Sequence, residues 1–230
     1  MKAIAAADAD EKILKKLNGL GFDVLRTAAL SSVLPGLWYH PDMQLAVIER
    51  TVVCEPTVYE YYRDFILSAG FNAVRGKTVL CSNYPNDIAY NISVVSDCIF
   101  HNLKYTDSEI LCAGIHKKTV NVSQGYTGCS TCRIGEGALI TADMSVFRAA
   151  KSVNADVLLI SPGNIALKGF DTGFIGGASF FSRGTLYTFG SVDFHPDGGA
   201  IRKFCQKHGT AICELSDGIL TDYGSLITLD

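Results

Sequence analysis

The chain lacks the marks of several large protein classes. No stretch approaches the roughly 18 to 20 consecutive apolar residues that a membrane-spanning helix needs, so no membrane partner is expected. Positive charge is not in excess. Lys and Arg number 20 against 23 Asp and Glu, a net charge of −3, which leaves no basic face and argues against nucleic acid as a partner. Cys129-Ser130-Thr131-Cys132 has the form CxxC, but no second pair stands at zinc spacing, so no metal and no cofactor are expected. Linkers and low-complexity segments are missing, and residues 1–230 read as one domain. The opening residues, Met1 to Asp10, are too short and too acidic for a signal peptide. The eight cysteines are scattered, mostly in apolar stretches, which suits buried thiols in a reducing cytoplasm better than a disulfide framework.

What the chain does have is a repeat. Hydrophobic residues make up 48% of it, enough to bury a sizeable core. Segments around Asp42, Asp87, Cys129, Gly177 and Asp222 align, and these positions are spaced by 45, 42, 48 and 45 residues. A fixed period of this size means an array or a propeller, because one unit alone cannot bury its apolar face. After each aligned position a first strand, a short turn and a second strand are expected. Ser93–Val95 leads through Ser96-Asp97 to Cys98–Phe100, and Gly135-Glu136-Gly137 leads to Ala138–Thr141. Ser182-Arg183-Gly184 leads to Thr185–Phe189. Helices follow at Glu11 to Leu17, Thr57 to Ala69, Val146 to Ser152 and Gly199 to Lys207. Third strands close the units at Phe22 to Thr27, Asp156 to Ile160 and Thr210 to Leu215.

The fifth unit is split. Asp222 to Leu229 supplies its first strand, and Met1 to Asp8 resembles the second strand Ala138 to Asp143. The expected fold is therefore a five-bladed α/β propeller of strand–strand–helix–strand units, with the N-terminal strand completing the last blade. A closed ring leaves no open edge between its ends.

The aligned positions are also where chemistry concentrates. Cys129 follows the flexible Gly125-Tyr126-Thr127-Gly128 and is a candidate nucleophile, provided a base lowers its pKa; a small buried hydrophobe is the plainer reading. His40 is expected on the same strand face as Asp42, and the pair could serve as a general base or oriented acid. Asp42, Asp87 and Asp222 would repel one another in one funnel unless a cation sits among them, and a guanidinium or ammonium would satisfy them. The alternative is that they cap turns at strand starts. His195-Pro196-Asp197 repeats the tripeptide of residues 40–42 but reads as a turn and cap, and His101, His116 and His208 read as surface or loop residues.

These residues together resemble the pentein, or guanidino-group-modifying, superfamily. It includes arginine deiminases, agmatine deiminases, dimethylarginine dimethylaminohydrolases and the non-catalytic translation initiation factor six. Its hydrolases have a His motif opening a strand pair, like His40 to Ile48. An Asn follows in the next repeat, like Asn91, and a Gly-preceded Cys in the one after, like Cys129. The signatures HPDMQ, GYTxC and GFIGGAS resemble those of a bacterial subfamily within it. The resemblance implies a cysteine-dependent hydrolase or transferase acting on a guanidine, amidine or related small cation. Cys129 and His40 would be catalytic, and Asp42, Asp87, Asn91 and Asp222 would bind substrate. Two departures stand against a simple transfer. In the hydrolases the Cys repeat comes last, whereas here two more repeats follow Cys129. The family's acidic EGGD-type motif is reduced to Phe174-Ile175-Gly176-Gly177-Ala178-Ser179, without both acids. A non-catalytic binder of a small ligand or protein is the alternative.

Overall fold

The computed structural model describes residues 1–230. In chain order it contains β1 (Lys2–Ala5), α1 (Glu11–Gly19), β2 (Asp23–Arg26), α2 (Pro41–Gln44), β3 (Leu45–Ile48), β4 (Thr51–Cys54), α3 (Tyr59–Ser68) and β5 (Asn72–Arg75). There follow β6 (Ser93–Val95), β7 (Cys98–His101), α4 (Ser108–Ala113), β8 (Lys118–Asn121), β9 (Cys132–Arg133), β10 (Ala138–Thr141), α5 (Met144–Ser152) and β11 (Asp156–Leu159). The last are β12 (Ser179–Ser182), β13 (Thr185–Thr188), α6 (Gly198–Lys207), β14 (Ala211–Glu214) and β15 (Leu226–Leu229). No helix is long and apolar enough to cross a membrane.

The strands form five three-stranded sheets, ordered β15-β1-β2, β3-β4-β5, β6-β7-β8, β9-β10-β11 and β12-β13-β14. In every sheet the first two strands are antiparallel and the second and third are parallel. An antiparallel pair can be joined by a tight turn, whereas a parallel pair needs a crossover, and the helix of each unit is that crossover. The N-terminal strand pairs with the C-terminal one, Ile4 opposite Ile227 and Ala5 opposite Leu226, as the split repeat predicts.

The middle strands are apolar runs because both faces are covered. Ala138, Leu139, Ile140 and Thr141 of β10 are all buried, between a partner strand on each side, α5 and a neighbouring sheet. The hairpin turns carry residues at positive φ, among them Glu49, Ser96 and the pair Arg183-Gly184. Two adjacent positive-φ residues are what a type I′ turn needs to match strand twist.

Aspartates at the helix starts do a second job. Asp10, Asp107 and Asp143 each accept a backbone N–H from the first turn of α1, α4 and α5, a cap worth about 1 kcal/mol. Asp107 also accepts Lys77 N and Thr78 N, Asp143 accepts Gln124 Nε2, and Asp197 accepts Ser161 N. Each bond ties a helix start to the loop that enters its own sheet. Those entry loops carry the candidate residues, so the caps help to position the site.

One cavity of about 740 Å³ is lined by residues of β3, β6, β9, β12 and β15, the first strand of every sheet. Its wall is apolar at Leu45, Ile92 and Leu226 and charged at Glu49, Asp97, Glu136, Asp230, Arg133 and Arg183.

Three expectations are corrected. The residues around His40 and Asp42 are not in a strand: Pro41 to Gln44 form one helical turn, with His40 at its N-cap position, because proline at the first helical position favours the helical φ. Cys129 likewise lies in a turn three residues ahead of β9, with Thr131 N bonded back to Gly128 O. His101 is fully buried rather than at the surface, and His208 bonds Asp156 at 2.9 Å.

Candidate active site

The five aligned positions all fall in the segments that run into first strands. These segments converge, and they bring His40, Asp42, Asn91, Cys129 and Asp222 together. All five are buried, between 1% and 6% exposed.

Asn91 is the clamp. Its Nδ2 donates to Asp42 O at 3.2 Å and lies 3.1 Å from Cys129 Sγ, while its Oδ1 accepts Cys129 N at 3.1 Å. The Cys129 thiol donates to Asp42 Oδ2 at 2.8 Å. Ligand atoms of His40, Asp42 and Cys129 all lie within 4.8 Å of one another. His40 Nδ1 faces Asp222 Oδ1 at 3.8 Å. Asp222 is fixed by Phe174 N at 2.8 Å and Gly224 N at 2.9 Å, so it caps a turn and faces the imidazole at once.

Close approach here depends on two glycines, the aligned Gly177 and Gly224, neither of which sequence reasoning placed against a site residue. A Cβ on Gly177 would fall onto the Asp222 carboxylate, and one on Gly224 would fall onto the His40 side chain. Gly224 also has φ +72°, a left-handed conformation that glycine adopts without cost. The Gly176-Gly177 and Tyr223-Gly224 dipeptides were the available signals.

The electrostatics are those of crowded acids. Burial pushes the Asp42 carboxyl up to about 6; His40 opposes this and Asp222 adds to it. Burial raises Asp222 as well, against the pull of His40. The Cys129 thiol is pushed well above its ordinary value, by burial first and then by Asp42 and Asp222. With that shift the sulfur is a thiol, and the crowded acids favour a cation among them over an anion.

Asp87 stands apart from this cluster. It is buried, and Tyr126 Oη donates to its Oδ2 at 2.5 Å. Burial raises its pKa while that bond lowers it. Tyr126 was not foreseen, and its ring neighbours Tyr84 and Phe174 at 5.8 and 6.1 Å between centroids. Of the residues predicted from the sequence, only Asp42 lines the large cavity, where Gly128, Thr131 and Ser225 accompany it; Cys129 and His40 are not among its lining residues.

Five strand–strand–helix–strand units, one of them completed across the two termini, match the pentein fold. Solved structures bear this out. A dimethylarginine dimethylaminohydrolase from Pseudomonas aeruginosa, a cysteine-to-serine variant complexed with citrulline, superposes with TM-score 0.58 at 9% identity, over 93% of this chain and 91% of that one. An amidinotransferase of saxitoxin biosynthesis from Microseira wollei gives TM-score 0.57 at 10% identity, over 95% and 78%. The inosamine-phosphate amidinotransferase of Streptomyces griseus gives 0.53 at 10%, also over 95% and 78%. No curated protein matches the sequence. By sequence the chain belongs to the family of unknown function DUF6873, which matches residues 4–227.

Proposed function

We propose that this protein is a cysteine-dependent hydrolase or amidinotransferase acting on a guanidine, amidine or related small cation. The observation that carries the proposal is the meeting of a thiol, an imidazole and a carboxylate within 4.8 Å, in a buried site with surplus acid. A planar cation fits that electrostatic demand. It would lower the pKa of Asp42, Asp222 and Cys129 together, so the thiolate forms when substrate arrives. Asp42 and Asp222 then hold the cation, Asn91 fixes the sulfur, and Asp87 with Tyr126 holds a more distant polar group.

In the reaction, Cys129 Sγ bonds to the central carbon, and the C–N bond to the leaving amine breaks. The His40 ring takes the proton that the Cys129 thiol gives up and delivers it to that amine. Water then gives a proton to His40 and adds its oxygen to the carbon, and the C–Sγ bond breaks, the proton returning to the sulfur as a urea-type product leaves; an amine acceptor in place of water gives a transferred amidine. We also propose that the five sheets are the blades of one closed propeller domain spanning residues 1–230. The cavity lined by all five first strands and the β1–β15 pairing support that arrangement.

The test is incubation with arginine, methylated arginines and agmatine, with assay of ureido product and intact-mass detection of an adduct on Cys129. An adduct that disappears in Cys129→Ser supports the reading; no turnover, adduct or change in Tm with any cation rejects it. The burial and raised pKa of Cys129 favour one alternative, a non-catalytic pentein that binds a cation or a protein. That reading predicts a cation-dependent rise in Tm without any adduct.

A further inference from the structure

The candidate site holds a donor set that guanidine chemistry does not exhaust. Imidazole, carboxylate and thiol atoms of His40, Asp42 and Cys129 lie within 4.8 Å of one another, and all three residues are buried. Two buried atoms in it, His40 Nδ1 and Asp42 Oδ1, have no hydrogen-bond partner. Buried polar atoms are normally paired, and unpaired ones in a cluster of this kind call for a ligand. The groups that act on the sulfur and the two carboxylates are one another, with Asn91 and backbone amides; His40 is the one basic side chain among them.

We infer that His40, Asp42 and Cys129 form a binding site for one divalent transition-metal ion of the zinc class. Thiolate with imidazole selects borderline-soft ions such as Zn²⁺ and Co²⁺ over Mg²⁺ and Ca²⁺, which demand oxygen shells. The charge balances: a dication neutralises one thiolate and one carboxylate. Three protein ligands leave one position open, the arrangement of zinc sites that also bind a further molecule. The surroundings are those such ligands need. Asn91 holds Cys129 through both its N and its Sγ, which fixes the sulfur ligand. Asp42 lines the 740 Å³ cavity, which gives a path inward.

Binding exchanges a proton for the ion. The thiol proton now shared with Asp42 is released, and the S···O separation of 2.8 Å opens to the roughly 3.5 Å of two ligands on one tetrahedral ion. The ion would occupy the sulfur that the proposed reaction uses, so metal and guanidine compete.

The experiment is titration of the chelator-stripped full chain with Co²⁺ at neutral pH, followed by absorption. The expected result is a near-ultraviolet thiolate-to-cobalt charge-transfer band that saturates at one equivalent and is bleached by Zn²⁺. His40→Ala and Asp42→Asn should each weaken cobalt binding by about tenfold or more, and Cys132→Ser should leave it unchanged. Cys129→Ser should abolish the band; if that variant does not fold by circular dichroism, the His40 and Asp42 variants decide. No charge-transfer band, or a band that His40→Ala and Asp42→Asn leave unaltered, overturns the inference. The readout needs no activity: failure of guanidine turnover leaves the metal site standing, and failure of the cobalt titration leaves the enzyme reading standing.

Discussion

Acid should unlock the approach to Cys129 through one residue, His101. It ends β7 and is fully buried. Gly125 O can only accept, so Nε2, at 3.2 Å from it, carries the proton; Nδ1 then accepts the Thr106 hydroxyl at 2.7 Å. Neutral imidazole satisfies both bonds; a charged one would have to turn the Thr106 hydroxyl round toward Asn102 O and hold its charge away from water. Burial accordingly lowers its pKa from 6.5 to about 4, with the Gly125 and Ile88 carbonyls opposing. Because the folded value lies below the unfolded one, the unfolded chain takes up a proton first. The stabilisation is whole above about pH 6.5 and is lost as pH falls toward about 4. The gap of about 2.5 units, at about 1.4 kcal/mol each, is worth on the order of 3 kcal/mol. That is a large share of a typical 5–15 kcal/mol stability. Urea denaturation at pH 7.5, 6.5, 5.5 and 4.5 should show the wild type losing stability faster than His101→Gln, by about 1.4 kcal/mol per pH unit below 6.5. Comparison with the variant cancels the opposite trend of the raised carboxyls Asp42 and Asp222. Parallel profiles for the two proteins would refute the assignment of His101 as a buried neutral base.

Other consequences follow from the packing. Removing residues 1–6 takes β1 out from between β15 and β2, and the truncated chain should fail to show a cooperative thermal transition. Asp143→Ala should cost about 1–2 kcal/mol, because it deletes the cap on Ser145 N and Val146 N and the bond to Gln124; a change in denaturation midpoint under a few tenths of a kcal/mol would contradict that role. Gly224→Ala should lower stability and Cys129 reactivity together, since its Cβ meets His40 at a positive φ. Iodoacetamide should label the exposed Cys81 and Cys112 first in the ligand-free protein, with Cys129 slow; peptide mapping that found Cys129 modified first would contradict its raised pKa.

The repeat was legible in the sequence because its signals are local. Gly-rich turns between β-branched runs, apolar residues at helical spacing and an aspartate before α1, α5 and α6 act over a few residues. They located β6, β7, β10, α1, α3, α5 and α6 to within two or three residues. The complementarity of Met1 to Asp8 with Asp222 to Leu229 was legible for the same reason, since each half carries the pattern of a known unit. The six-residue α4 was not, being too short to show a period.

The site divides differently. Its members could be proposed from the sequence, because a repeat marks equivalent positions. Their relations could not, and the reason is distance along the chain. Asp42 and Cys129 are 87 residues apart and share a proton; Asp222 reaches His40 from the other end of the chain. Strand alternation wrongly ordered His40 and Asp42, because Pro41 turns the local chain into a helical step. Asp87 shares the repeat position but was drawn to Tyr126, and His101, without any partner nearby in sequence, was buried by the Gly125 loop. Composition and period determined the units. Which acids meet the thiol, and how far burial raises their pKa values, was decided by the convergence of five entry loops that only the tertiary structure creates.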